Sequence, residues 1–194
     1  MKLKHAKSLG VVGIVECWYF GNYPSIMSKA VGELAFEENI EDYQKFISCF
    51  AKKIYGSSAK NDVVKCWEYI FKSYVNYPFN TMFSYYGPFH DGVVWNLALK
   101  PKNLPLPRTW QLTDVPDGDR IAECFMYGHT HEEVISLFER VVKYSNKAID
   151  AINLLIKNNE QLIDLISVVN AYNVLAKSTY NILRFYFLRS RFDR

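Results

Sequence analysis

The sequence predicts a mainly α protein, a helical bundle that follows a single N-terminal strand. Apolar residues recur at helical spacing over most of the 194 positions, one extended apolar run lies near the start, and a Pro-, Gly- and aromatic-rich stretch interrupts the periodicity in the middle. Apolar residues at 49% and charged residues at 22% are the balance of a folded globular chain. A chain of this length supports one substantial core, or one domain with a short annex.

Leu3 to Leu9 reads as a short helix ended by Gly10, the residue type that most easily takes the left-handed conformation after a helix. Residues 11–21, VVGIVECWYFG, are β-branched and aromatic and nearly apolar on both faces. That is the pattern of a strand in a parallel sheet covered on both sides. A single parallel strand leaves both main-chain edges to be paired, and no second convincing strand follows.

From Pro24 the period is helical, through Ile26, Met27, Ala30, Val31 and Leu34. Asn39 as N-cap, with Asp42 three residues on, opens a second helix whose stripe is Ile40, Tyr43, Phe46, Ile47, Phe50 and Ile54; Gly56 stops it. A third carries Val63, Val64, Trp67, Ile70, Phe71, Tyr74 and Val75 and ends before Pro78. Residues 78–120 lose the periodicity, and their aromatic content argues against a free linker. Thr130 and Glu133 form a capping box ahead of Val134, Leu137, Phe138, Val141, Val142, Ala148, Ile149 and Ile152. After a break at Asn158-Asn159, a last helix runs from about Glu160 through Leu162, Leu165, Val169, Tyr172, Ala176 and Leu183 towards the C-terminus. The expected organisation is a helix and strand over 1–23, helices over 24–77, an irregular segment over 78–128 and a long helical hairpin over 129–194.

Charge and motif content exclude several classes. The net charge is +3, partly from Lys2, Lys4 and Lys7 at one end and Arg184, Arg189, Arg191 and Arg194 at the other, which is no nucleic-acid stripe. No run of about 18 apolar residues predicts a membrane span, and the N-terminus lacks a signal-peptide apolar region, so cytoplasm is the expected location. Cys17, Cys49, Cys66 and Cys124 form no C-x-x-C pair and read as small thiols in a reducing compartment. No Gly-rich phosphate loop or nucleophile elbow is present, and no cofactor is expected.

Two stretches carry a resemblance: GIVECWYFGNYPSIMSKAVGELAFE (13–37), and the run from YYGPFHDGVVWNLALKPKNLPLPRTW to PDGDRIAEC. Both resemble the C-terminal part of large bacterial proteins with a (β/α)8 glycoside-hydrolase-like barrel. The resemblance implies that residues 3–21 are the last helix and strand of such a barrel and that the rest is the helical region after it. Barrel ligand sites lie at the C-terminal ends of the strands. Glu16 and Trp18 share one face there, so the resemblance implies a sugar site floored by Trp18. Glu16 then serves as hydrogen-bonding or catalytic carboxylate, and Tyr19, Asn22 and Tyr23 lie on the loop above. Glycoside hydrolysis needs two carboxylates across the bond, and most barrel strands are absent from this sequence, so no hydrolysis by this chain alone is expected.

Several residues have two readings. Glu16 in an apolar strand carries a desolvation cost that function would justify, unless the strand's end simply faces water. His90 and Asp91 with Tyr86, Trp95 and Trp110 offer hydrogen bonds and stacking planes to a sugar; a packed loop with its own small core, Asp91 capping a turn before Gly92, is the somewhat better account. His129-Thr130-His131 invites a metal, but the helical capping box explains this segment without one, and no metal site is expected. Asp117-Gly118-Asp119-Arg120 is best read as a turn with a local ion pair, and Phe185 to Arg194 as a helix whose packing partner is missing. The functional expectation is the C-terminal portion of a carbohydrate-active barrel protein, its partner the remaining barrel segment. The rivals are a stand-alone helical interaction module that forms a homodimer, and a small metal-dependent enzyme built on His90, His129 and His131.

Overall fold

The computed structural model describes residues 2–13, 25–36, 42–80, 83–84, 87–89, 95–106, 118–126, 128–153, 155 and 160–192. Among them are six α-helices and one 3-10 turn: α1 (Lys2–Ser8), α2 (Ile26–Phe36), α3 (Tyr43–Tyr55), α4 (Lys60–Val75), the turn Ile121–Cys124, α5 (His131–Ile152) and α6 (Glu160–Phe192). The protein is mainly helical, as its periodicity predicts. Of the expected N-terminal strand, residues 14–21 lie outside the described residues, and Val11 to Gly13 have no regular structure. The chain divides into two compact units, 1–60 and 61–194.

In the first unit, α1 ends where expected, with Gly10 at a φ of +79°. Ser25 Oγ accepts from the Ser28 N–H at the start of α2. The α3 start is a correction: its N-cap is Asp42, whose Oδ1 accepts from the Gln44 and Lys45 N–H groups at 2.8 and 3.2 Å. Asn39, expected as the cap, lies outside the described residues. Asp and Asn cap equally well, and the sequence pattern alone does not choose between two candidates three residues apart. Gly56 ends α3 at a φ of +87°, a left-handed conformation that a side chain would strain. Phe50, Ala51 and Tyr55 are the buried face of this helix.

The second unit is organised by the antiparallel α5–α6 hairpin. Thr130 Oγ1 accepts from the Glu133 N–H at 3.2 Å and Glu133 Oε2 accepts from the Thr130 N–H at 2.8 Å, so the expected capping box opens α5. The hairpin core is built from Val134, Phe138, Val141, Ala148 and Ile152 on α5 and Leu165, Val169, Ala176 and Leu183 on α6. Tyr77, Phe83 and Phe89 bring their rings onto Phe138 at centroid distances of 5.8, 5.4 and 6.2 Å. Phe83 and Phe138, with Trp95, Ile121, Cys124, Phe125, Val134, Val141, Ala176 and Leu183, form one core cluster, against which Tyr77 and Phe89 pack.

A polar layer crosses this core. Ser73 Oγ donates to the Val141 carbonyl and lies 2.8 Å from Tyr172 Oη. The Asn173 amide donates to Ser145 Oγ and Asn146 Oδ1 at 2.8 and 2.9 Å. Ser73, Ser145 and Asn173 are all buried, and each has the partner that burial demands.

Residue α4 faces differ from the simplest reading of its stripe. Val63, Cys66 and Ser73 are the buried positions, whereas Phe71, Tyr74 and Val75 are exposed. Small Cys66 and Ser73 allow close approach, and the Ser73 bond to α5 fixes which side turns inward. Burial pushes the Cys66 thiol up to about 12, which leaves it an inert, protonated core group.

Candidate functional site

Helix α6 has 33 residues and outruns its partner. His131, the first residue of α5, meets α6 at Leu183. The remaining turns of α6, from Arg184 on, overhang, and residues 95–106 and 118–125 pack against that overhang. Here is the correction to the C-terminal reading: the partner of this helix end lies within the chain. Tyr186, 2% exposed, donates from its hydroxyl to the Asn96 carbonyl. Arg189 lies over the Tyr186 ring at 4.6 Å and donates to the Ala98 carbonyl at 2.8 Å and to Asp119 Oδ2 at 2.9 Å.

Asp119 is the hub. Its two oxygens accept from the Lys102 and Leu104 N–H groups as well as from Arg189, while Leu104 O accepts from the Asp119 and Arg120 N–H groups. Burial pushes its carboxyl up, but the two main-chain bonds and the guanidinium outweigh that and hold it below its ordinary value. A carboxylate so fully engaged is a structural anchor rather than a general acid or base. The ion pair expected within 117–120 is corrected among the described residues: Asp119 pairs with the distant Arg189, and Arg120 with Glu123 at 2.6 Å. Gly118 is required beside the hub: a Cβ there would fall on the Pro105 carbonyl and within 2.8 Å of Leu106 Cα.

The other engaged group is His131. Its Nε2 lies 2.9 Å from the Leu183 carbonyl, to which its N–H donates, and its ring sits between Phe125 and Phe187 at centroid distances of 5.0 and 5.2 Å. Burial lowers its pKa, and the Leu183 bond and the Glu132 charge only partly offset this. With Nε2 committed to a carbonyl, His131 has one free ring nitrogen. No three His, Cys, Asp or Glu residues come together as a metal site among the described residues.

The expected sugar residues fall unevenly. Glu16, Trp18, Tyr19, Asn22 and Tyr23 lie outside the described residues, as do Tyr86, His90, Asp91 and Trp110. Trp95 is described and only 7% exposed, packed in the core with Phe83, Ile121 and Phe125. Its indole N–H makes no well-formed hydrogen bond, although the Tyr186 hydroxyl is close enough to feel it.

What the second unit presents outward is apolar in two places. Phe71, Tyr74 and Val75 on α4, with Phe79 beyond its end, are 65%, 55%, 63% and 69% exposed. Phe79 meets Tyr74 edge-on at 5.9 Å, so the ring pair makes one ridge. The outer side of α6 is the second, uncharged and only partly apolar: from Leu165 to Ala176 the helix has no charged residue, and Val168 and Val174 are exposed there with Ser167 and Asn170. By contrast, α5 exposes Glu139, Arg140, Lys143, Lys147 and Asp150. Sequence reading missed both surfaces, because apolar spacing marks a face without saying whether the chain itself covers it. No helix among the described residues is long and apolar enough to cross a membrane. No protein-family model, no curated protein and no solved structure matches this chain.

Proposed function

We propose that this chain is a non-catalytic helical docking module, the helical portion of a carbohydrate-active (β/α)8-barrel protein. The observation that carries the reading is the ridge of Phe71, Tyr74, Val75 and Phe79, four large apolar side chains more than half exposed on one helix and its exit. A contiguous exposed aromatic patch costs solubility and is kept where a partner covers it. In this reading the partner is the barrel, to which residues 11–21 add the last strand; the solvent exposure of Val11 and Val12 supports that role. Glu16, Trp18, Tyr19, Asn22 and Tyr23 then face a sugar contributed to mainly by other strands. Asp119 and His131, the most engaged titratable groups described, are held by internal bonds, which supports a structural role for this part of the chain.

The purified chain is expected to release no chromophore from a broad panel of aryl glycosides, α- and β-linked, at enzyme concentrations that detect slow turnover. Robust hydrolysis removes the reading. A second reading, a homodimeric helical module, is favoured by the uncharged outer side of α6 between Leu165 and Ala176. Light scattering coupled to size-exclusion chromatography separates the two. A discrete dimer that the double substitution Val168→Glu, Val174→Glu converts to monomer establishes the second; a monomer or soluble aggregate relieved by Phe71→Glu, Phe79→Lys supports the first.

A further inference from the structure

We infer that the end of α6, from Arg184 to Phe192, is a pH-sensitive latch whose sensor is His131. The ring is the only imidazole among the described residues wedged between two elements, with Phe125 on one side and Phe187 on the other. Its Nε2–H is fixed on the Leu183 carbonyl, so a further proton must enter at Nδ1. An imidazolium there is unfavourable for two reasons. Two phenyl rings take the place of water around it, and the first turn of α5 presents its unpaired N–H groups, the positive end of the helix.

Each element packed against the ring carries titratable or charged groups, of which Glu132 acts on the imidazole. On α5 and its approach stand Glu132, Glu133 and His129. The overhang brings Arg191, 3.9 Å from Glu132, and Arg189, held by Asp119. From the 3-10 turn come Glu123 and Cys124, and Tyr186 comes from α6. The Glu132 carboxylate favours the cation but is shared with Arg191, and desolvation of the ring prevails.

The sign follows. A histidine whose folded-state pKa lies below its free value of about 6.5 stabilises the latched form while neutral; that contribution is lost as pH falls below about 6.5. Each unit of difference corresponds to a tenfold change in the latching equilibrium. Tyr186 on Asn96 and Arg189 on Asp119 anchor the same segment, so charging His131 is expected to loosen the packing of Phe187 on the ring in a graded way and not to release the helix end outright.

Amide hydrogen exchange of the full chain at pH 7.5 and 5.5, corrected for intrinsic rates, tests this. Protection of residues 184–192 is expected to fall at least about threefold, with Leu165–Ala176 unchanged. In His131→Gln, which keeps an N–H for Leu183 but does not titrate, that fall is expected to vanish while His129 remains. Equal pH dependence in the two proteins, or an equal loss along the whole of α6, overturns the latch. Where the variant does not fold, the NMR titration of the wild-type His131 ring decides: a midpoint below 6.5 supports the latch, and one at or above it refutes it.

Discussion

Asp119→Ala is expected to destabilise the second unit by about 4 kcal/mol, because removing one partner of a buried ion pair leaves the other uncompensated. Three donors lose their acceptor at once: the Lys102 and Leu104 N–H groups and the Arg189 guanidinium. Arg189 retains the Ala98 carbonyl, which keeps the loss short of the largest values seen for such pairs. Thermal unfolding followed by circular dichroism is expected to show a midpoint lower by about 10 °C. The effect has a pH signature. The Asp119 carboxyl is held below its ordinary value, so its contribution is complete above the unfolded carboxylate range near pH 4 and is lost as pH falls through the folded value. The gap between wild type and variant is therefore expected to narrow in acid. A constant gap from pH 7 to pH 2 would show that Asp119 does not act as a charge.

Phe138→Ala is expected to cost about 4 kcal/mol for a different reason, the loss of transfer energy plus the cavity left behind. Phe138 is fully buried, and the rings of Tyr77, Phe83 and Phe89 all rest on it. Those three rings come from the stretch after α4, whose described residues carry little regular backbone to close the gap. In urea the midpoint is expected to fall with the slope unchanged; a lower slope would mean that the stretch no longer docks in the native state. A cost below about 1 kcal/mol would show that the rings collapse onto the vacancy.

The helices were legible because their information is local. Spacing located α2 and α6, and the Thr130–Glu133 pair located the start of α5 as the structure has it. Gly56 and Gly10 marked helix ends through backbone freedom, which belongs to the residue and not to its neighbours. What was not legible depends on pairs far apart in sequence. Asp119 and Arg189 are separated by 70 positions, and nothing in the sequence Pro116-Asp117-Gly118-Asp119 announces an arginine on the last helix. The exposed side of α4 was hidden for a related reason. Two small residues, Cys66 and Ser73, define its packed face, and hydrophobic spacing gives more weight to the larger Phe71 and Tyr74. Sugar-site candidates other than Trp95 fall outside the described residues, so Trp95 is the one whose surroundings bear on that reading.

The polar layer at Ser73, Tyr172, Ser145, Asn146 and Asn173 has a consequence for how the two long helices align. Leu, Val and Ala side chains on α5 and α6 are interchangeable enough that a slide by one turn, about 5.4 Å, would still bury them. Asn173 cannot follow. One turn towards the start of α5 its amide meets Val141 and Val142, where a buried amide without a partner costs about 1–3 kcal/mol; one turn the other way it meets Ile149 and the exposed Asp150 and leaves the buried Ser145 behind. The amide thus acts as a vernier on the hairpin. It sets how far α6 projects past α5, and hence whether Arg189 arrives level with Asp119.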